Sequence, residues 1–210
     1  MKKLIIALLV FSSQALVAQQ TYVLDEFGEK LKAFYLGLNV ENHWLAGQHI
    51  NWETGATDNT DDTKNIKTHS GSFVAAACKK LNIYLIRPPE HSAELLCNAQ
   101  SDWLQTSAAS AQAWRHIQGG DRYAGAQDLA NKGFVVLAAV ASTDPHKPGH
   151  IALVMPAVIS TKDLTDQGPQ VIMAGPKNYS TVSLKAGFKG FVNKWPETQV
   201  EFYYFMNPVF

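Results

Sequence analysis

The sequence predicts an α+β domain, with a helical N-terminal half packed on a small antiparallel sheet. Three observations carry this reading. Apolar residues recur at three- and four-residue spacing through the first part of the chain, as in amphipathic helices. Short runs rich in valine and aromatic residues, bounded by Gly, Pro and Asn, dominate the rest. Helices and strands do not alternate regularly, and no glycine fingerprint follows an early strand, which argues against a doubly wound nucleotide fold.

The elements follow in order. Residues 23–38 place Leu24, Phe27, Leu31, Phe34, Tyr35 and Leu38 on one helical face. The aromatic- and glycine-rich segment up to Gly55 has no clean period and reads as an ordered loop. Residues 55–67 are polar and read as the softest stretch. A second helix opens at Ser70 or Ser72, buries Phe73, Val74, Ala77, Cys78 and Leu81, and closes at Asn82. The short run Ile83 to Ile86 stops at Pro88-Pro89. From Pro89 a further helix carries Ala93, Leu95, Leu96, Ala99, Trp103 and Leu104. Another follows Asp121 and stops at Asn131-Lys132-Gly133. Strands are predicted at 134–140, 150–155, 170–174 and 200–205.

The N-terminus reads as an export signal. Lys2 and Lys3 precede an apolar run from Leu4 to Phe11, and Leu16-Val17-Ala18 suits cleavage before Gln19. The run is too short to cross a hydrocarbon core, which needs about 20 apolar residues. The expectation is a leader over 1–18 and a single domain over 19–210, periplasmic or secreted, with no stable membrane insertion after cleavage. Loss of the two lysines turns 18 basic against 18 acidic side chains into 16 against 18. With no basic stripe, nucleic acid is excluded as an expected partner. The acidic run from Asp58 to Asp62 lacks the spacing and terminal Glu of a helix-loop-helix calcium site, and reads as a solvated loop. His43 and His49, six apart, lack the spacing of a helical zinc pair, so neither metal nor cofactor is implied. In an oxidising compartment Cys78 and Cys97 are either a disulfide or two buried thiols.

Two positions carry candidate chemistry. His150 follows Pro148-Gly149 at the start of a strand, where it is either an idle turn residue or a general base. Ser70 opens a helix, where unpaired N–H groups and the dipole favour negative charge. A cysteine there would have a reactive thiolate, whereas a serine gains little and is equally an ordinary N-cap. Cys78 lies eight residues on, about 12 Å along the helix, among apolar neighbours that raise its pKa. Gln170 and Asn178 are the candidates to orient the imidazole, with Asn178 equally suited to close its own turn.

The segments Thr68-His69-Ser70-Gly71, Arg87-Pro88-Pro89-Glu90-His91, Asn98-Ala99-Gln100 with Trp103-Leu104, and Pro148-Gly149-His150 form a recognisable set. To these add Met173-Ala174-Gly175 with Asn178, and Trp44, Gly47, His49 and Trp52. In these motifs the chain resembles the NlpC-type and CHAP-type cell-wall peptidases and amidases, a papain-like superfamily, over most of residues 40–190. The departure is at the centre, because the family's nucleophilic cysteine falls on Ser70. Either the thiol was replaced by design or it was lost naturally; true serine catalysis fits a papain-like site least well.

The resemblance implies a peptidoglycan amide hydrolase scaffold, endopeptidase or amidase, inactive as written. Its catalytic positions would be Ser70, His150, Asn178 and Gln170. Trp44, His49, Trp52, His69 and Trp103 would bind a peptidoglycan stem peptide or fragment, although the tryptophans equally suit packing. A cognate inhibitor is a further partner if the protein is a toxin. The alternative is a non-catalytic exported domain that binds cell-wall peptide or a partner protein.

Overall fold

The computed structural model describes residues 20–57, 68–197 and 199–210. The expected leader and the acidic run at 58–62 lie outside the described residues. The fold is mixed α+β, as the periodicities predict. Its centre is a six-stranded antiparallel sheet in the order β2 (Trp114–His116), β8 (Glu201–Phe205), β3 (Val136–Val140), β4 (His150–Val154), β6 (Gln170–Met173) and β7 (Tyr179–Ser183). A two-residue ribbon pairs β1 (Thr21–Tyr22) with β5 (Ile159–Ser160). No described helix is long and apolar enough to cross a membrane.

Helix α1 (Glu26–Gly37) starts where Asp25 accepts a hydrogen bond from the Gly28 N–H at 2.8 Å, an N-cap that satisfies one orphan donor. Helix α2 (Ser70–Lys80) is buried without a break from Ser70 to Cys78. A helix can be buried on all sides only if it is small and apolar, and the Gly-Ser-Phe-Val-Ala-Ala-Ala run meets that condition. It lies on the sheet face carrying Ile151 and Leu153. The next helix starts later than its apolar pattern predicts. Leu95 takes a φ of +53°, so α3 runs only over Leu96–Leu104. The residues after Pro88-Pro89 are turn and bend up to Leu95.

Several short elements escape the periodicity: α4 (Ser107–Ala111), β2, β7, α6 (Thr161–Gln167) and α7 (Leu184–Gly187). Helix α5 (Arg122–Asn131) falls as expected after Asp121, which accepts from the Ala124 N–H at 3.3 Å.

Two polar clamps, a buried one in α5 and a half-buried one in α3, fix the layers around β4. In α5, Gln127 Nε2 donates to Asn131 Oδ1 (2.9 Å) and Met155 O (3.0 Å), and Gln127 Oε1 accepts from the Gln170 N–H (3.0 Å). Asn131 Nδ2 donates to Val23 O and Ala157 O, while its Oδ1 accepts from the Ala157 N–H. In α3, Asn98 Oδ1 accepts from the N–H groups of Ser142 (3.0 Å) and Gly149 (2.8 Å), and its Nδ2 donates to Lys147 O (2.9 Å). This seats the β3–β4 loop. A Cβ on Gly149 would stand 2.2 Å from Val140 O, so the residue before His150 has to be glycine.

Replacing Gln127 by Ala strands the Gln170 N–H and the Met155 carbonyl away from water. At about 1–3 kcal/mol per stranded group, Gln127→Ala is expected to lower unfolding free energy by roughly 2–4 kcal/mol in urea titration. A loss below about 0.5 kcal/mol would show that this clamp does not hold α5 to the sheet.

Candidate functional site

Ser70 sits at the head of α2 as expected, and its hydroxyl is buried. Its partner is a residue the sequence did not pair with it. Ser70 Oγ and Cys97 Sγ lie 2.9 Å apart. Cys97 comes from the first turn of α3, which approaches α2 closely at Gly71. A Cβ there would stand 3.2 Å from Cys97 Sγ and 3.0 Å from Gln100 Oε1. Gln100 Nε2 donates to Gly71 O and Ile86 O, both at 3.1 Å, which ties the two helices together.

Burial pushes the Cys97 thiol above its ordinary pKa. The Ser70 hydroxyl and the N–H groups of Gly71, Cys97 and Ile151 pull the other way without offsetting it. Cys78 is pushed up to about 12 by burial, slightly relieved by Arg87. Neither thiol is poised as a nucleophile in this arrangement.

The disulfide expected as one option is not formed. Both cysteines are free and buried. Cys97 stands against the first turn of α2, whereas Cys78 lies eight residues further along it, beyond the span a disulfide can bridge. The thiol near Ser70 is therefore Cys97, not Cys78. Sequence distance hid it, because 27 residues separate Cys97 from Ser70.

His150 opens β4, as expected, but points elsewhere. Ile151 and Leu153 belong to the core beneath α2, whereas Ala152 and Val154 belong to the core containing Phe188. The ring of His150 follows the second set. It stacks on Phe191 at 4.3 Å between centroids with planes 9° apart, and meets Phe188 edge-on at 4.7 Å. Gly175 leaves room beside it, since a Cβ there would be 3.3 Å from Cε1. The imidazole is fully buried, and both ring nitrogens lack a hydrogen-bond partner. Desolvation lowers its pKa to about 3, so the ring is neutral near pH 7. No hydrogen bond joins Ser70 to His150.

The two orienting candidates serve the backbone instead. Asn178 Nδ2 donates to the carbonyls of Val40, His43 and Trp44, and its Oδ1 accepts from the Gly175 N–H at 3.0 Å. It fastens the loop after α1 to the exit of β6. Gln170 gives its N–H to Gln127, and neither residue reaches the unpartnered imidazole nitrogens.

Of the proposed binding residues, Trp44 is buried, Trp52, His69 and Trp103 are half-buried, and His49 is exposed. Trp44 is core, edge-on to Phe73 at 5.2 Å, and donates from Nε1 to Trp52 O at 2.9 Å. Trp52 is half-buried under the Lys79 ammonium, 5.4 Å from the ring centroid. Trp103 is half-buried, edge-on to Tyr84. His69, just before α2, bonds through Nε2 to Gln48 O at 2.8 Å, and His49 is exposed. Among the described residues, no group of three His, Cys, Asp or Glu side chains is placed to hold a metal ion. Compared with models of known protein families the sequence gives no match, and no curated protein matches it.

The buried imidazole sets a pH dependence. Folded His150 stays neutral down to about pH 3, whereas an unfolded histidine protonates near 6.5. Between these values the unfolded chain binds the extra proton. The histidine's stability contribution is complete above about pH 6.5 and is lost as pH falls toward 3, by up to about 1.4 kcal/mol per pH unit. Urea midpoints measured from pH 7 to pH 4 should therefore fall more steeply for the unaltered chain than for His150→Leu. Parallel profiles would show that the imidazole is solvated and free to charge.

Proposed function

We propose that the chain is a papain-like amide-hydrolase scaffold without a working nucleophile, and that it binds peptidoglycan stem peptide without cutting it. The observation that carries this is the environment of Ser70. Its hydroxyl is held by a buried thiol that has no basic character, and among the described residues no hydrogen bond joins it to a general base. A serine hydroxyl attacks an amide only when a base removes its proton. Loss of general-base help alone costs roughly 10²–10⁴ in rate.

Support for the scaffold comes from three directions. A helix whose first residue holds the nucleophile position packs on the strand that begins with His150. The sheet around it is antiparallel. The Arg-Pro-Pro-Glu-His and Pro-Gly-His segments resemble those of exported cell-wall hydrolases, and Thr68-His69-Ser70-Gly71 stands where that group has Thr-His-Cys-Ser. Several residues of the motif set have a structural task here. Gly71 permits the approach of α3, Asn98 and Gly149 seat the β3–β4 loop, and Asn178 ties the loop after α1 to β6. These tasks do not need catalysis, so the motifs persist in a fold that has lost it. Export and a cell-wall location are part of the same proposal and rest on the leader read at residues 1–18.

Insoluble peptidoglycan sacculi provide the test. The chain as written should sediment with them and release no soluble fragment with a new amino terminus by mass spectrometry. A second variant, Ser70→Cys with Cys97→Ala, supplies a thiol at the helix start and removes the sulfur that would capture it. Hydrolysis by the double variant at least about 100-fold above the unaltered chain would support the hydrolase origin of the scaffold. Fragment release by the unaltered chain at the double variant's rate would overturn the non-catalytic reading. Failure to sediment with sacculi of any chemotype would overturn the peptidoglycan ligand.

A further inference from the structure

A cleft of about 620 Å³ opens between the start of α5, helix α6 and the loop at Trp195, and none of the candidate catalytic residues lines it. A second concavity of about 360 Å³ shares Gly120, Asp121, Tyr123 and Pro196 with it, so the two form one trough. Both volumes fall in the range of small-ligand sites.

The trough has a rigid aromatic wall. Tyr123 lies parallel to Trp195, with centroids 5.6 Å apart and planes 10° apart. Tyr123 Oη donates to Glu197 Oε1 at 2.8 Å. That carboxylate is buried and also accepts from Arg122 Nη2 (3.1 Å) and the N–H groups of Gln199 (2.8 Å) and Val200 (2.6 Å). Three further donors thus hold the group that holds Tyr123. Tyr22 supplies a third ring to the lining, and Tyr22 and Tyr123 both pack against the buried Leu164 and Ala124.

The charges around the trough balance in sign. Asp166 pairs with Lys162, and Asp121 caps α5. The Lys185 ammonium stands over Trp195, 5.7 Å from its ring centroid. Asp121 and Lys185 have no ion-pair partner among the described residues but are of opposite sign, so with the Asp166–Lys162 pair the lining offers an ionic ligand no net charge to match. What is offered is the exposed part of three half-buried aromatic rings, flanked by Thr165, Gln167 and half-exposed carboxylate oxygens, along an open trough rather than in a closed hole.

We propose that this trough binds an uncharged oligosaccharide. The apolar C–H faces of pyranose rings would lie along the Tyr22, Tyr123 and Trp195 surfaces, and the hydroxyls would meet the polar rim. The adjoining concavities suit successive sugar units of one chain. The site is separate from Ser70, and its occupancy does not depend on the stem-peptide reading.

The experiment titrates the whole chain with two probes, the tetramer of N-acetylglucosamine and maltotetraose. Binding is followed by tryptophan fluorescence and by isothermal calorimetry. The expected result is saturable binding of at least one tetrasaccharide. Trp195→Ala should weaken it at least tenfold, whereas Trp195→Phe keeps an aromatic face and should bind within about threefold of the unaltered chain. Ser70→Ala should leave it unchanged. A thermal melt of each variant separates loss of the wall from loss of the fold. Absence of saturable binding for both probes, or equal binding by a folded Trp195→Ala, would overturn the proposal. Neither probe carries a peptide, so failure here leaves the stem-peptide reading to its own test.

Discussion

Strand β4 is buried on both faces, and most of the molecule's arrangement follows from that. A strand points alternate side chains to opposite sides, so the five residues from His150 to Val154 divide between two cores. Helix α2 covers the side of Ile151 and Leu153. The other side closes over Ala152 and Val154 with Phe188, Phe202 and Leu184. Asn98 and Gly149 fix where the strand starts, which commits the His150 ring to the second core. A slip of one residue would exchange every side chain between the faces.

The chemistry of the candidate site is a consequence of this partition. The positive end of α2 is well suited to hold an anion, and the imidazole at the start of β4 is well suited to act as a base. They are not joined. The group that meets the helix start is the Cys97 thiol, and the groups that meet the imidazole are two phenylalanine rings. Burial then sets both pKa values in the direction that keeps each group neutral. A neutral imidazole with no partner for either nitrogen is a costly thing to bury, about 1–3 kcal/mol for each unmet polar group. The two aromatic contacts offset part of that cost.

Much of this was legible in the residues, and the failures have physical causes. Helices α1, α2 and α5 show their periods, although the N-cap of α2 is His69 with no side-chain cap rather than Ser70 or Ser72, and β3, β4, β6 and β8 show as apolar runs. Strand β7 escapes because it is a sheet edge, and Tyr179–Ser183 is accordingly polar. Helices α6 and α7 are short and weakly apolar. Even so, Ser160 and Ser183 cap them by accepting from the N–H groups of Asp163 and Ala186, a signal that serine three residues ahead could have given. The placement of His150 at a strand start was legible, but its face was not. Both faces of β4 are apolar, so alternation alone cannot say which one α2 covers. The nearest sulfur was misjudged for a related reason. Cys78 shares a helix with Ser70, and Cys97 is brought to it only by tertiary packing at Gly71.

The most direct test of the partition uses competition between two partners for one thiol. In the variant Ser70→Cys with His150→Cys, the new thiol at position 70 has Cys97 on its own side of β4 and the thiol at position 150 on the other. Oxidation of the folded protein with oxidised glutathione, followed by peptide mapping, reads which bond forms. The structure predicts a bridge between positions 70 and 97, because Ser70 Oγ and Cys97 Sγ already lie 2.9 Å apart. A dominant bridge between positions 70 and 150 would place the imidazole beside the helix start and contradict the separation of the two faces.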